Sequence, residues 1–298
     1  MKAVMNVSLE MNPFAGTAKP SREFFAAYQR DFLENRFVYV VISPRARGLS
    51  VGINLNPDKQ CNFSCPYCEV DRRTAGRASK LDLDVMAAEL ELTLKFVRAG
   101  APVPRFARLP RELLQLRHVA LSGDGEPTLC PIFLEAVETV VHLRARGRVP
   151  FFKMVLITNG SRLEDEPVRA GLRLFTRQDE IWAKLDGGTQ AYLDRVNAPD
   201  VPVETVLRGI LSLARERPVV IQSLFPELDG SDPPREEIIA YAERLNDLKA
   251  QGAQISLVQI YSANRPPANI TCGHLSLGQL SAIAKRVREL TGLNVQVF

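Results

Sequence analysis

No stretch of this 298-residue chain is apolar for long enough to span a bilayer, and the residues after Met1 and Lys2 are interrupted by Asn6, Ser8 and Glu10, so no continuous signal-type region follows the start. The expectation is a cytoplasmic protein with no membrane partner. Histidine is scarce: His118, His142 and His274 are the three in the chain, far apart and without ligand spacing. Residues 1–60 hold no cysteine, and five cysteines in a chain without a secretion signal argue against a disulfide framework. No linker rich in Pro, Gly and Ser divides the chain, and no segment repeats. The net charge of +4 falls short of the dense basic stripe of a dedicated nucleic-acid binder, so a nucleic-acid substrate is allowed but not required.

What is present is a globular composition, 46% hydrophobic and 24% charged, able to bury a core without disulfide or metal staples. Apolar, β-rich runs recur from Leu49 to Leu55, His118 to Ser122, Phe152 to Thr158, Glu180 to Leu185, Val219 to Leu224 and Ile255 to Tyr261. Helical spacing lies between them, as in Leu83, Met86, Leu90, Leu94 and Val97 before Gly100, and in Ile238, Tyr241, Leu245 and Leu248 before Gly252. Such alternation calls for parallel strands with right-handed crossovers. The expected fold is α/β, a partial (β/α)6 TIM-like barrel over residues 49–298, in a single domain with an N-terminal cap and extra strand over 1–48. Phe37 to Ile42 reads as that extra strand, Asn294 to Phe298 as a C-terminal one, and the first thirty-six residues as a helical or irregular cap.

Three of the five cysteines crowd into Cys61-Asn62-Phe63-Ser64-Cys65-Pro66-Tyr67-Cys68, directly after the first of the six strands, with C-x3-C-x2-C spacing. Three thiolates on a short loop suit three irons of a cubane iron-sulfur cluster, whose fourth iron then has no protein ligand and is open to chemistry. A structural zinc, or simply buried cysteines, is the alternative reading. Polar residues close the later strands at Asn159, Lys184, Asp186, Gln222 and Gln259, and in α/β folds ligands bind at the carboxyl ends of strands. Cys130 and Cys272 are each a small buried hydrophobe or a substrate-facing thiol. Arg45, Arg47, Arg72 and Arg73 either clamp an anion beside the mouth or solvate a surface.

The cysteine loop, down to the aromatic Tyr67 before its last cysteine, resembles that of the radical S-adenosylmethionine (SAM) superfamily. A second match follows in order, because Ser122-Gly123-Asp124-Gly125-Glu126-Pro127-Thr128 looks like the Gly-Gly-Glu-Pro segment of that family. The resemblance implies a 4Fe-4S cluster on Cys61, Cys65 and Cys68, with SAM as second cofactor near Tyr67, Gly125, Glu126, Asn159, Lys184, Asp186 and Gln222. It implies that Glu126 receives the methionine amino group and Lys184, the catalytic candidate, the carboxylate, with Asn159 or Asp186 at the ribose. It further implies SAM cleavage to a 5'-deoxyadenosyl radical, fed by a reductant such as flavodoxin or ferredoxin.

Over residues 49–225, the stretch from Ile157-Thr158-Asn159-Gly160-Ser161 through Ala183-Lys184-Leu185-Asp186-Gly187-Gly188 to Arg195-Val196-Asn197-Ala198-Pro199 is similar to the tRNA wyosine synthase-related group. That implies tRNA or another large anionic substrate, although the cysteines that carry a second cluster in that group have no counterpart in residues 1–60. A glycyl-radical or peptide-modifying enzyme is the alternative within the superfamily. Outside it stands an electron-transfer module, in which Cys130 or Cys272 supplies a fourth ligand.

Overall fold

Strands form where β-branched and aromatic residues run together, and helices where an apolar stripe returns every three to four residues. The structure, a computed structural model, describes residues 32–99, 106, 109–263 and 272–298. The expected cap, except for residues 32–36, and the expected helix closure at Gly100 lie outside the described residues. The chain enters β1 (Val38–Ser43) and turns back into its antiparallel neighbour β2 (Gly48–Ile53). There follow α1 (Leu83–Arg98), β3 (Leu116–Leu121), α2 (Phe133–Ala145), β4 (Met154–Thr158), α3 (Glu166–Arg173) and β5 (Glu180–Lys184). Two helices, α4 (Gln190–Val196) and α5 (Val203–Glu216), precede β6 (Val219–Leu224) and the short β7 (Pro226–Leu228). The chain closes with α6 (Arg235–Ala250), β8 (Ile255–Tyr261), β9 (Cys272–His274), α7 (Leu277–Thr291) and β10 (Val295–Val297).

The main sheet has eight strands in the order β1-β2-β3-β4-β5-β6-β8-β10, and every neighbouring pair except β1 with β2 is parallel. The six strands of the βα repeat sit side by side in chain order, flanked by the two extra strands, while β7 pairs with β9 apart from them. The sheet curls. The Arg45 guanidinium, from the β1-β2 turn, lies 4.3 Å from the centroid of the Tyr261 ring on β8, and Arg47 lies 6.0 Å from that of Phe298 beyond β10. Contacts between opposite ends of an open sheet require it to bend round into a partial barrel.

Strand alternation then divides the core. Outward residues such as Leu156, Ile181, Ile221 and Val258 join the large cluster under the helices, while inward Val155, Trp182 and Val220, with Ile157 and Leu257, form a small separate one. Local signals fix the helix ends: Asp82 accepts from Val85 N at the start of α1, Ser276 and Gln279 form a capping box on α7, and Gly292 closes α7 in the left-handed conformation. Beneath β4 and β5 the Asp179 carboxylate is enclosed by Arg144 Nη1 at 2.8 Å, Met154 N at 2.7 Å and Thr176 N at 2.7 Å. Burial opposes its charge, yet the guanidinium and the donors around it hold its pKa below the ordinary value. No helix among the described residues is long and apolar enough to cross a membrane.

Candidate active site

The loop after β2 carries the three cysteines, and it is pinned from several sides. Lys59 Nζ bonds the carbonyls of Asp71 and Thr74 at 2.7 and 3.0 Å, and Arg72 Nη1 bonds that of Phe63 at 2.8 Å. The loop docks on the segment after α4. Ser64 N donates to Asn197 O at 3.0 Å, Phe63 bridges to Pro199, and Asn62 Nδ2 donates to Asp200 Oδ1 at 2.7 Å. The Asn197 side chain adds bonds to Cys65 Sγ at 3.4 Å, Tyr67 OH at 2.8 Å and Asp186 Oδ2 at 2.8 Å.

Cys61, Cys65 and Cys68 are free thiols, half-buried, and all line one cavity of about 300 Å³ at the carboxyl ends of the strands. Burial pushes the Cys65 thiol up to about 11 and raises Cys61 as well, an opposition to the thiolate that a bound metal must outweigh. Among the described residues no three His, Cys, Asp or Glu side chains converge to hold a single metal ion. A cubane fits this donor set, because each of its irons takes its own thiolate and the three sulfurs need not meet at one point. Neither Cys130 nor Cys272 lines the cavity, and both are buried in the apolar core, so neither is placed as a fourth ligand.

Further lining comes from the ends of β3, β4 and β5, which supply Gly125, Glu126, Asn159 and Lys184. Gly125 is required by a close approach: a Cβ there would stand 2.0 Å from Gln60 O, the carbonyl that also receives Glu126 N at 3.0 Å. Its bare Cα therefore lets the cysteine loop and the β3 end touch, rather than only exposing backbone to a ligand. Glu126, 3% exposed, accepts from Thr128 N, Thr128 Oγ1 and Thr158 Oγ1 on Oε1, and from Asn159 N at 2.7 Å on Oε2. Burial raises its pKa above the usual range despite those donors.

Lys184 points into the cavity from β5, its Nζ 3.2 Å from both Asp186 Oδ1 and Tyr261 OH. Burial works against its charge, but the Asp186 carboxylate outweighs that and holds the Lys184 pKa above the ordinary lysine value.

Two of the expected cofactor residues do not reach the cavity lining. Asp186 is 1% exposed and sits behind Lys184, accepting from Lys184, Asn197, Leu224 N at 2.8 Å and the Tyr67 hydroxyl. Gln222 faces inward but is spent on Gln259, Nε2 to Oε1 at 2.8 Å. Tyr67 does line the cavity, and burial, then the Asp186 charge, keep its hydroxyl well above the usual phenol pKa. Of the four arginines, Arg45 and Arg72 line the cavity, whereas Arg47 lies against Phe298 and Arg73 turns out to pair with Asp71 at 2.9 Å.

Sequence reasoning missed three positioning residues. Asn197 was visible only as one letter of a longer resemblance. Tyr261, on which Lys184 rests, read as the apolar end of a strand. Glu237 accepts from Thr189 N at 3.1 Å and Thr189 Oγ1 at 2.6 Å, and also from Gly188 N, tying down the loop that carries Asp186. Its signal was helical spacing: Glu237 stands four residues before Tyr241, on the buried stripe of α6.

Comparison with known proteins bears on this arrangement. No family model matches the chain. A UPF0026 protein of Helicobacter pylori is 26% identical over 183 residues, 60% of this chain and 52% of that relative, so the match spans about half of the relative's length. A UPF0026 protein of Synechocystis is 26% identical over 182 residues, 60% of each. Among solved structures the chain is similar to a radical SAM methyltransferase from Sphaerobacter thermophilus, with a TM-score of 0.60, 17% identity and coverage of 88% of this chain and 68% of that one. It is also similar to SuiB of Streptococcus suis bound to S-adenosylmethionine, at 0.58 and 14% over 85% of this chain and 52% of that one. TYW1 with a lysine-pyruvate adduct gives 0.56 and 14% over 86% and 84%. The fold is that of radical SAM enzymes. At these identities the likeness establishes architecture, and one architecture serves several chemistries.

Proposed function

We propose that this chain is a radical SAM enzyme, binding a 4Fe-4S cluster and SAM in the cavity and cleaving SAM reductively to modify a substrate. The observation that carries this reading is the lining of one cavity by Cys61, Cys65 and Cys68 together with Gly125, Glu126, Asn159 and Lys184. Cys61, Cys65 and Cys68 would hold the cluster, which would supply the electron for reductive cleavage of SAM. The residues of this chain bind and orient. Lys184 Nζ, held charged by Asp186, meets the SAM carboxylate, and Glu126 Oε2, which accepts from Asn159 N alone, takes the amino group. Asn159 spends one amide hydrogen on Asn62 Oδ1 at 2.8 Å and keeps the other for a ribose hydroxyl. Asp186 and Tyr67 act through their neighbours as positioning residues.

The deciding experiment is EPR on the reduced, reconstituted protein with and without SAM. A changed spectrum supports an open iron, while an unchanged one overturns the reading in favour of an electron-transfer module. Cys65→Ala should abolish SAM cleavage, and a full cluster with full activity in that variant would sink the assignment.

For the substrate, the reading is tRNA or another large anionic molecule, with flavodoxin or ferredoxin as reductant. Its support is the resemblance over residues 157–199, Arg72 at the cavity and the net charge of +4. Bulk tRNA should raise 5'-deoxyadenosine above the uncoupled background. Stimulation by peptides or metabolites but not by RNA would overturn it.

A further inference from the structure

The cavity extends inward past the residues that the proposed cofactors engage. Ser50 on β2 and His118 on β3 face each other in register, below the strand ends, and both line the cavity together with Arg45 and Tyr261. Three polar groups here are unspent. Arg45 makes no hydrogen bond or ion pair among the described residues, its Nε is buried and unpartnered, and its guanidinium lies over the Tyr261 ring. His118, 2% exposed, stands edge-on to Trp182 at 5.2 Å between ring centroids and has no hydrogen-bond partner among the described residues. Burial, with the charges of Lys153 and Arg45 adding to it, pushes the His118 pKa down to about 3, so the imidazole is neutral and offers one N–H donor. Ser50, 4% exposed, likewise keeps its hydroxyl unbonded among the described residues.

Buried polar groups in native proteins are almost always paired, so the unpartnered Arg45 Nε, with His118 and Ser50 lining the same cavity and making no hydrogen bond among the described residues, marks a place where a ligand supplies partners. The carboxylates in the same lining are committed elsewhere: Glu126 to its four donors, Asp124 to Asn54 Nδ2 at 2.7 Å, and Glu69 to a partner of its own. Among the described residues the Arg45 charge therefore has no paired carboxylate. Tyr39 OH, 2.9 Å from Ser122 Oγ, completes the wall and is already paired.

We propose that this inner end of the cavity is a substrate subsite for an oxyanion, a carboxylate or phosphoryl group received by the Arg45 guanidinium and hydrogen-bonded by His118 and Ser50. The inference deepens the proposed function, since it names the chemistry of the substrate that shares the cavity with the cofactors. A guanidinium with free N–H groups suits a planar carboxylate or a phosphoryl oxygen pair, and its positive charge would reject a cationic group.

Saturation-transfer NMR on the methyl signals of methyl phosphate and of acetate tests this on the full chain, before and after iron-sulfur reconstitution and without SAM. Saturable binding of at least one probe is expected, weakened about tenfold or more by Arg45→Gln and less by Arg45→Lys. Binding of methyl phosphate alone assigns a phosphoryl substrate, and of acetate alone a carboxylate. No saturable binding of either probe, or equal affinity in wild type and a folded Arg45→Gln chain, overturns the proposal. If Arg45→Gln fails to fold, His118→Phe replaces it with the same criteria. The readout needs no SAM cleavage, so anion binding through Arg45 in a chain inert toward SAM would refute the proposed reaction and leave the subsite standing.

Discussion

Asn197 donates its side-chain amide to Cys65 Sγ at 3.4 Å, joining two residues 132 positions apart. The same amide nitrogen serves Tyr67 OH and Asp186 Oδ2, so one side chain ties the cysteine loop to the residue that holds Lys184 in place. Asn197→Leu strips a donor from two buried acceptors and should destabilise the fold by about 1–3 kcal/mol. With a cluster bound, removal of an N–H donor from a ligating sulfur should also move its reduction potential negative. Urea unfolding reads the first effect and a redox titration the second. An unmoved potential would show that the amide serves structure alone.

Lys184→Ala should weaken SAM binding about 10- to 100-fold, the loss of one charge-assisted hydrogen bond, while leaving the EPR spectrum of the SAM-free cluster unchanged. Equilibrium dialysis on the reconstituted protein measures the first. An unchanged dissociation constant would remove Lys184 from the carboxylate role.

Arg144 and Asp179 have side chains 6% and 0% exposed and lie away from the cavity lining. Arg144→Ala leaves a buried carboxylate without its cation and should cost about 3–5 kcal/mol in denaturant unfolding. SAM affinity per folded molecule should stay the same, which separates this pair from the site.

His118 sets an expected pH dependence. Its folded pKa of about 3 lies below the ordinary 6.5, so between those values the unfolded chain binds a proton that the folded chain refuses. The stability contribution is full above pH 6.5 and is lost as pH falls through that window, by at most about 1.4 kcal/mol per pH unit. His118→Phe should flatten the fall by that slope in urea midpoints taken between about pH 7 and 4.5. Parallel curves for the two proteins would show that the imidazole titrates normally.

The strands and the cysteine loop were legible because their signals are local. Apolar runs such as Val219 to Leu224 became strands, and Met86, Leu90 and Leu94 of the expected stripe became the buried face of α1, with Leu83 half-buried at its start. Polar strand ends were a weaker guide, since a polar side chain at the end of a strand can face a cavity, as Lys184 does, or be consumed by a neighbour, as Gln222 is by Gln259. Which outcome holds depends on a partner dozens of residues away. Asn197, Glu237 and Tyr261 escaped for the same reason: their importance lies in contacts with Cys65, Gly188 and Lys184, and spacing along the chain says nothing about contacts of that range.

The ring of Tyr261 carries two cations, Arg45 at 4.3 Å and Lys184 at 5.4 Å from its centroid. A ligand that draws either cation off the ring changes the electrostatic field felt by the other. Linkage is reciprocal, so whatever factor an anion on Arg45 applies to SAM affinity at Lys184, SAM applies to that anion in return. Tyr261→Leu should weaken this coupling while leaving each ligand able to bind alone, so that the affinity of either depends less on whether the other is already in the barrel.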